Sequence, residues 1–327
     1  MGIKLISKDL ETKNKWDNFV SSSPNGAIYQ KSFWLDAWGG NYDLWGVYKG
    51  TELVAGFAVP YKRLLGLKLA TIPRFTPYSG IIFKKYEGKY VSRITTEKEL
   101  AIEFAILLRK KYKWGISTFH PSVVDMQPFI WSGFKTRPQY TYIMDVSNLE
   151  QIWEEMHADT RTSIRKAQKD GLSILVTDSF NEVIELVENT FQRQNIKRSF
   201  NVAYKYYNEL VKRNLYKGFI CIDKDGNNIA SYCMVWDEKR AYGFLSGYDS
   251  EKRHKGSTSL CLWEAIKFTS EELGMKEFDF EGSMIPQVER FYRYFGGKLT
   301  PYYCLRWGKG LDLLLKINIF INKYFKV

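Results

Sequence analysis

Histidine and cysteine are scarce in this chain, three and four among 327 residues. Cys221, Cys233, Cys261 and Cys304 show no Cys-x-x-Cys spacing and the histidines are scattered, so neither a structural zinc site nor a disulfide framework is expected. Long apolar runs are also missing. The start, Met-Gly-Ile-Lys-Leu-Ile-Ser-Lys-Asp, has no uninterrupted apolar stretch, which argues against a secretory signal or an N-terminal anchor and makes the cytoplasm the expected compartment. Acidic residues are outnumbered, 36 against 48 Lys and Arg, leaving a formal charge of +12. A surface so biased favours anionic partners, among them CoA, nucleotide sugars, tRNA and acidic lipid headgroups, without choosing among them. Apolar residues at 45% and aromatics at 16% fit a packed globular chain, long enough for about two domains of ordinary size.

The order of elements repeats. Residues 97–112 form an amphipathic helix, followed by a strand at 114–119, a short helix at 125–131 and Gly133. Residues 257–273 form a second such helix, followed by a strand at 276–281, a short helix at 286–295 and Gly296. Phe129 precedes Gly133 by four residues as Tyr292 precedes Gly296. Repetition on this scale predicts two tandem copies of one α/β unit, residues 1–146 and 147–309, with chemistry confined to the second because the first offers no obvious polar catalytic group. A terminal helix at 310–327, too short and too charged to span a bilayer, is expected to fold back on the first copy or to lie on a membrane surface.

Two stretches carry the most information. Residues 276–281 alternate Phe278 and Phe280 against Glu277, Asp279 and Glu281, the pattern of a strand with one buried face and carboxylates on the other. Gly282 ends it, and Pro286 opens a helix closed by Gly296-Gly297. Asp-Phe-Glu-Gly at 279–282 and Arg-Phe-Tyr-Arg-Tyr-Phe-Gly-Gly at 290–297 resemble the "DFxG" and "FKxxFGG" signatures of the GNAT acyltransferases in their FemABX-like branch, whose members build peptidoglycan cross-bridges or acylate other sugars and amines. Earlier, Trp153 through Arg161 and Arg165-Lys166-Ala167 to Gly171 is similar to that branch's "W…R..IRKA.K.G" helix pair. Gln30-Lys31-Ser32-Phe33-Trp34 resembles the start of the "QSxxWxxxK" segment, but Trp38 stands where its lysine would be. The fold so implied is α/β, two tandem GNAT-like domains, each a mixed, mostly antiparallel twisted sheet flanked by helices.

The resemblance also implies roles. Arg253-x-x-Gly256-x-Thr258 resembles the GNAT loop that wraps a CoA pyrophosphate at a helix N-terminus, with Lys255 and Ser257 between. The same run also suits a basic turn capped by Ser257. Backbone donors near Leu245 and Ser246, in the strand before the loop, would hold the acyl carbonyl. Tyr292 stands where GNAT enzymes place a proton donor for the leaving group, and where FemABX enzymes using aminoacyl-tRNA place lysine, so acyl-CoA is the favoured donor and aminoacyl-tRNA the other. Asp279 and Glu281 are the candidate bases for an attacking ammonium, though either equally suits a salt bridge. Arg161, Arg165 and Lys169 share a helix face with Lys166 beside it, where a diphosphate or tRNA backbone can lie; a merely solvated basic face fits as well. Arg193 is a further candidate for a donor or acceptor phosphate, and Arg293, next to Tyr292, for a substrate contact that supplies the positive charge of the family lysine.

These features predict an acyl or aminoacyl transfer to an amine of a cell-wall or envelope saccharide precursor, at the inner face of the membrane where the acceptor is lipid-linked. The competing expectation is a non-catalytic GNAT-like module that binds tRNA or an anionic membrane. Neither a metal nor DNA belongs to either.

Overall fold

The computed structural model describes residues 2–193, 199–252 and 254–308. Arg253 and the expected helix 310–327 lie outside the described residues. The chain divides into unit 1, Met1–Gln139 with the chain from Tyr302 onward, and unit 2, Tyr140–Pro301.

Unit 1 runs β1 (Ile3–Ile6), α1 (Leu10–Ser22), α2 (Ser32–Trp38), β2 (Asn41–Lys49), β3 (Glu52–Leu64), β4 (Leu67–Ala70), β5 (Ile81–Phe83), α3 (Tyr90–Lys111), β6 (Trp114–Thr118) and α4 (Gln127–Trp131). Its sheet is ordered β1-β2-β3-β4-β6, with β5 on β3. The pairs are antiparallel except β4 with β6, which run parallel through two partners, Leu69↔Trp114 and Ala70↔Gly115. Gly50, at φ +63°, makes the tight β2–β3 turn that its sequence context signals. Phe57, Phe104, Phe119, Phe129, Phe134 and Trp307 fill one core, so the residue matching Tyr292 is here a buried wall.

Unit 2 takes in the second part of β7 (Lys135–Asp145), then α5 (Leu149–Glu155), α6 (Ala158–Lys169), β8 (Ser173–Thr177), α7 (Phe180–Arg193), α8 (Asn201–Val211), β9 (Tyr216–Ile222), β10 (Asn228–Trp236), β11 (Ala241–Tyr248), α9 (Ser257–Glu271), β12 (Glu277–Asp279) and α10 (Pro286–Arg293). The strand order is β7-β12-β11-β10-β9-β8, again antiparallel apart from one pair, β11 with β12. β13 (Lys298–Trp307) follows, and its end pairs antiparallel with β6 inside unit 1. Both units are therefore mixed, mostly antiparallel sheets flanked by helices.

Helix α9 lays Leu260, Cys261, Ala265 and Ile266 on Ala230, Tyr232 and Met234 of β10 and on Phe278 and Phe280. On the opposite face, α7 comes so close to β11 that a Cβ at Gly247 would lie 2.3 Å from the Val187 backbone nitrogen. Only glycine allows that approach.

One expectation fails, and one strand goes unread. β12 is three residues long and both Phe278 and Asp279 are fully buried, because the strand lies between β7 and β11 and is covered on both faces. Alternation of Phe with carboxylate therefore does not mark one wet face here. β13 goes unread in the sequence because Pro301 interrupts it, and proline argues against a strand wherever a ladder N–H is needed.

Candidate active site

β11 and β12 touch only at Ala241↔Phe278 and Tyr242↔Asp279. Beyond that vertex β11 continues from Gly243 to Tyr248 without a further ladder pair to β12, so the two strands open into a wedge, at whose far end the Tyr248 N–H goes to the Thr190 hydroxyl at 2.9 Å. Phe244 is an extra residue against β10, since Cys233 pairs with Leu245 and Met234 with Gly243. Such a bulge turns the strand and frees main-chain groups from the ladder. The Leu245 N–H is directed at the Cys233 thiol. Successive N–H groups of a strand point to opposite sides, so that of Ser246 faces the wedge. Of these two strand N–H groups, that of Ser246 thus faces the wedge and that of Leu245 is turned away from it.

The β12 arm ends in a tight reversal. Glu281 and Gly282 are both left-handed, at φ +57° and +63°. For a glutamate this conformation costs about 1–2 kcal/mol. It is held by the Asp279 carboxylate, whose Oδ1 accepts the Glu281 N–H at 2.8 Å and the Thr141 hydroxyl at 2.5 Å. Gly282 cannot carry a side chain, because a Cβ would sit 2.2 Å from the Tyr140 carbonyl oxygen. Asp279 is fully buried and committed to these bonds. Asp279, one of the two expected bases, therefore spends its carboxylate bracing the reversal, while Glu281, half-buried at its tip, is near enough for its charge to act on Tyr292.

Tyr292 is half-buried on α10, with its ring against Phe280 at 5.3 Å between centroids, and its hydroxyl has no hydrogen bond among the described residues. Burial, then the nearby negative charge of Glu281, push its pKa above the usual tyrosine value. Tyr232 reaches the same place from β10. Its hydroxyl is buried without a hydrogen-bond partner among the described residues, and a Cβ on Gly243 would lie 2.2 Å from that oxygen. An unsatisfied buried hydroxyl costs about 1–3 kcal/mol. Burial raises the Tyr232 pKa strongly, reinforced by Tyr292 and Glu281. Sequence reading missed Tyr232, because nothing separates it there from the other 21 of the chain's 22 tyrosines.

At the far end of the wedge stands the loop before α9. Gly256 is required by packing: a Cβ there would be 2.1 Å from the Ser163 carbonyl oxygen of α6. Its N–H goes to His254 Nδ1 at 3.1 Å, while His254 Nε2 lies 3.1 Å from Asp170 Oδ2. The Ser257 N–H and hydroxyl both go to the His254 carbonyl. Gly256 and Ser257 therefore shape the loop and spend their own donors on it, which revises the expectation that they hold a pyrophosphate. Thr258, half-buried in the first turn of α9, and the exposed Lys255 keep that capacity, since first-turn N–H groups have no acceptor within a helix.

The remaining arginines separate by what they touch. Arg161 donates to the Glu154 carbonyl at 2.9 Å and so caps α5, a structural duty in place of the expected substrate contact. Arg293 is tied to Glu289 at 2.9 Å. Arg165 lies over the Trp153 ring at 5.3 Å, with its charge exposed. Arg193, exposed at the end of α7, covers the Tyr248 ring at 4.3 Å, at the open end of the wedge. Among the described residues no group of three or more His, Cys, Asp and Glu side chains is placed to hold a metal ion, and no helix is long and apolar enough to cross a membrane. A cleft of about 140 Å³ in unit 1, lined by Tyr86, Tyr90 and Glu97 among others, contains none of these residues.

A family model described as an acetyltransferase (GNAT) domain matches residues 155–293. Among solved structures, that of FemX superposes with a TM-score of 0.67 at 14% identity, covering 93% of this chain and 97% of that one. The C-terminal domain of a putative lysylphosphatidylglycerol synthetase from Agrobacterium fabrum gives 0.63 at 12% identity, covering 95% and 96%. A tandem GNAT protein from the clavulanic acid biosynthesis pathway gives 0.53 at 13% identity, covering 92% and 98%. No curated protein sequence matches. At such identities the structural likenesses speak to fold. Residues 155–293 thus match the GNAT acetyltransferase model, and the chain as a whole shares the fold of the FemX structure.

Proposed function

We propose that unit 2 is an N-acyltransferase that takes an acyl group from acyl-CoA and gives it to an amine. The observation that carries this reading is the wedge, which runs from a strand vertex to a helix N-terminus. β11 makes no further ladder pair to β12 beyond Tyr242, so residues 243–247 edge the wedge over about 13 Å at about 3.3 Å per residue, before Tyr248, whose N–H goes to Thr190, and the α9 N-terminus. An extended pantetheine arm suits that edge, with its phosphates at the positive end of α9 beside Lys255 and its thioester toward the vertex.

The chemistry then follows from the groups at the vertex. The acceptor ammonium loses a proton to Glu281, and the free amine attacks the thioester carbon. As the C–N bond forms, the carbonyl oxygen gains negative charge opposite the Ser246 N–H. As the C–S bond breaks, Tyr292 gives its proton to the departing sulfur. The attacking nitrogen, positively charged once the C–N bond has formed, gives up its second proton to restore Tyr292, and Glu281 releases the first to solvent, so the products are the amide, CoA thiol and one proton and both groups end the cycle as they began it. A phenol whose pKa is raised stays protonated between turnovers, which suits a donor.

For the acceptor, exposed Met284, Ile285 and Val288 edge the wedge at the start of α10, and such an apolar rim suits a lipid-linked saccharide precursor at a membrane surface. Arg193, over Tyr248, and Arg165 are the phosphate contacts left available by this arrangement. Unit 1 is read as a degenerate copy of the same domain. In its favour, β4 and β6 repeat the two-partner parallel contact, Gly133 at φ +79° matches Gly296 at +91°, and Phe129 replaces the proton donor.

Aminoacyl-tRNA is the second donor, favoured by exposed Arg165, Lys166 and Lys169 on α6 and by the net charge of +12. Incubating the protein with a panel of acyl-CoAs and charged tRNAs, and reading mass shifts on amino-sugar acceptors, decides between them. Binding of neither donor would end the enzymatic reading. Salt-sensitive binding of tRNA or anionic vesicles without any product would replace it with that of a non-catalytic module.

A further inference from the structure

We propose that the Tyr232 hydroxyl is a second oxyanion donor, hydrogen-bonding the acyl carbonyl at the floor of the wedge. The inference rests on the acyl-CoA reading and adds a residue that the family resemblance does not single out. Three observations converge on it. Tyr232 is 1% exposed and its hydroxyl, like that of Tyr216, has no partner among the described residues, a state that calls for water or a ligand to complete it. That oxygen stands at Gly243, the first residue of β11 beyond the last pair with β12, and so at the vertex itself. Glycine is needed there because the hydroxyl fills the room of a Cβ. Finally, Tyr292 and Glu281 are, after burial, the leading groups that raise the Tyr232 pKa, which places it with the proton donor and the base.

A donor bound with its phosphates at α9 brings its thioester to this end of β11. The carbonyl oxygen there meets the Tyr232 O–H from beneath, on the side of the wedge where the Ser246 N–H lies further along the same strand. Tyr232 transfers no proton; it donates one hydrogen bond that strengthens as the oxygen becomes an oxyanion. A thiol end without an acyl group offers no such acceptor. The affinity difference between acetyl-CoA and CoA is therefore where Tyr232 should be read.

The test is Tyr232→Phe, which removes one oxygen and keeps the ring. Melting temperature, calorimetric affinity for acetyl-CoA and for CoA, and transfer rate are measured on the full chain. The expected result is a melting temperature equal to or above that of the wild type, CoA affinity unchanged, acetyl-CoA affinity down about tenfold and kcat down about a hundredfold. Gly243→Ala, which displaces the hydroxyl, should show the same selective loss and serves if the phenylalanine variant melts low. Unchanged kcat and acetyl-CoA affinity in Tyr232→Phe, or equal loss toward both ligands, would overturn the assignment while leaving the acyl-CoA reading intact. Wild-type protein that binds neither ligand would instead overturn that reading, and the assignment with it.

Discussion

Glu281 joins two effects that a pair of substitutions can pull apart. Its backbone is left-handed, so Glu281→Gly relieves about 1–2 kcal/mol of conformational cost and returns about 0.5–1 kcal/mol through the greater freedom of glycine in the unfolded chain. The N–H bond to Asp279 survives the change. A net gain of about 0.5–1 kcal/mol follows, or about 1–4 °C in melting temperature for a domain of this size. Glu281→Gln keeps the strain and removes only the charge, so it should melt within about 1 °C of the wild type. Both variants lose the base and should turn over about 10²–10⁴ times more slowly. Near-UV circular dichroism on heating and initial transfer rates read the two quantities separately. A glycine variant that melts at or below the glutamine variant would refute the strain argument, and a glutamine variant of undiminished rate would refute the assignment of the base.

Arg161→Ala should cost about 1 kcal/mol of stability through the lost cap on α5 while leaving CoA affinity unchanged; a several-fold loss of affinity in calorimetry would return Arg161 to the donor site. Gly256→Ala should destabilise by about 1–3 kcal/mol in denaturant unfolding, because the Ser163 backbone cannot yield to the added methyl, and should weaken CoA binding as α9 shifts. In alkali the buried tyrosines Tyr216, Tyr232 and Tyr242 have pKa values raised by burial, so above about pH 10 the unfolded chain loses protons that the folded one keeps. Stability is then full below pH 10 and falls as pH rises, by about 1.4 kcal/mol per pH unit for each such group; phenolate absorbance that rises ahead of unfolding would contradict this.

Periodicity was enough to read α9, α10 and the β9–β10 hairpin, where one buried stripe or one turn dipeptide decides the structure. The start of α3 was not legible, since Tyr90 and Val91 are exposed and the apolar stripe begins only near Leu100. The same limit applied at the site. Glu281 and Tyr292 stand in a motif, so their neighbourhood was named from the sequence. The burial of Asp279, the capping duty of Arg161 and the hydroxyl of Tyr232 all depend on partners remote in sequence: Thr141 lies 138 residues from Asp279. The Phe244 bulge and the left-handed Glu281 have no signature in residue type at all, because neither is a glycine.

Gly247 seats the backbone of α7 directly on β11, with no side chain between to act as a bearing. That jaw of the wedge is a single plate, stiff along the length a pantetheine would occupy. Room for a longer acyl group must come from the other jaw, whose strand is three residues long and ends in consecutive left-handed residues. Variants selected for bulkier donors should therefore change around residues 282–285 and leave 186–187 alone.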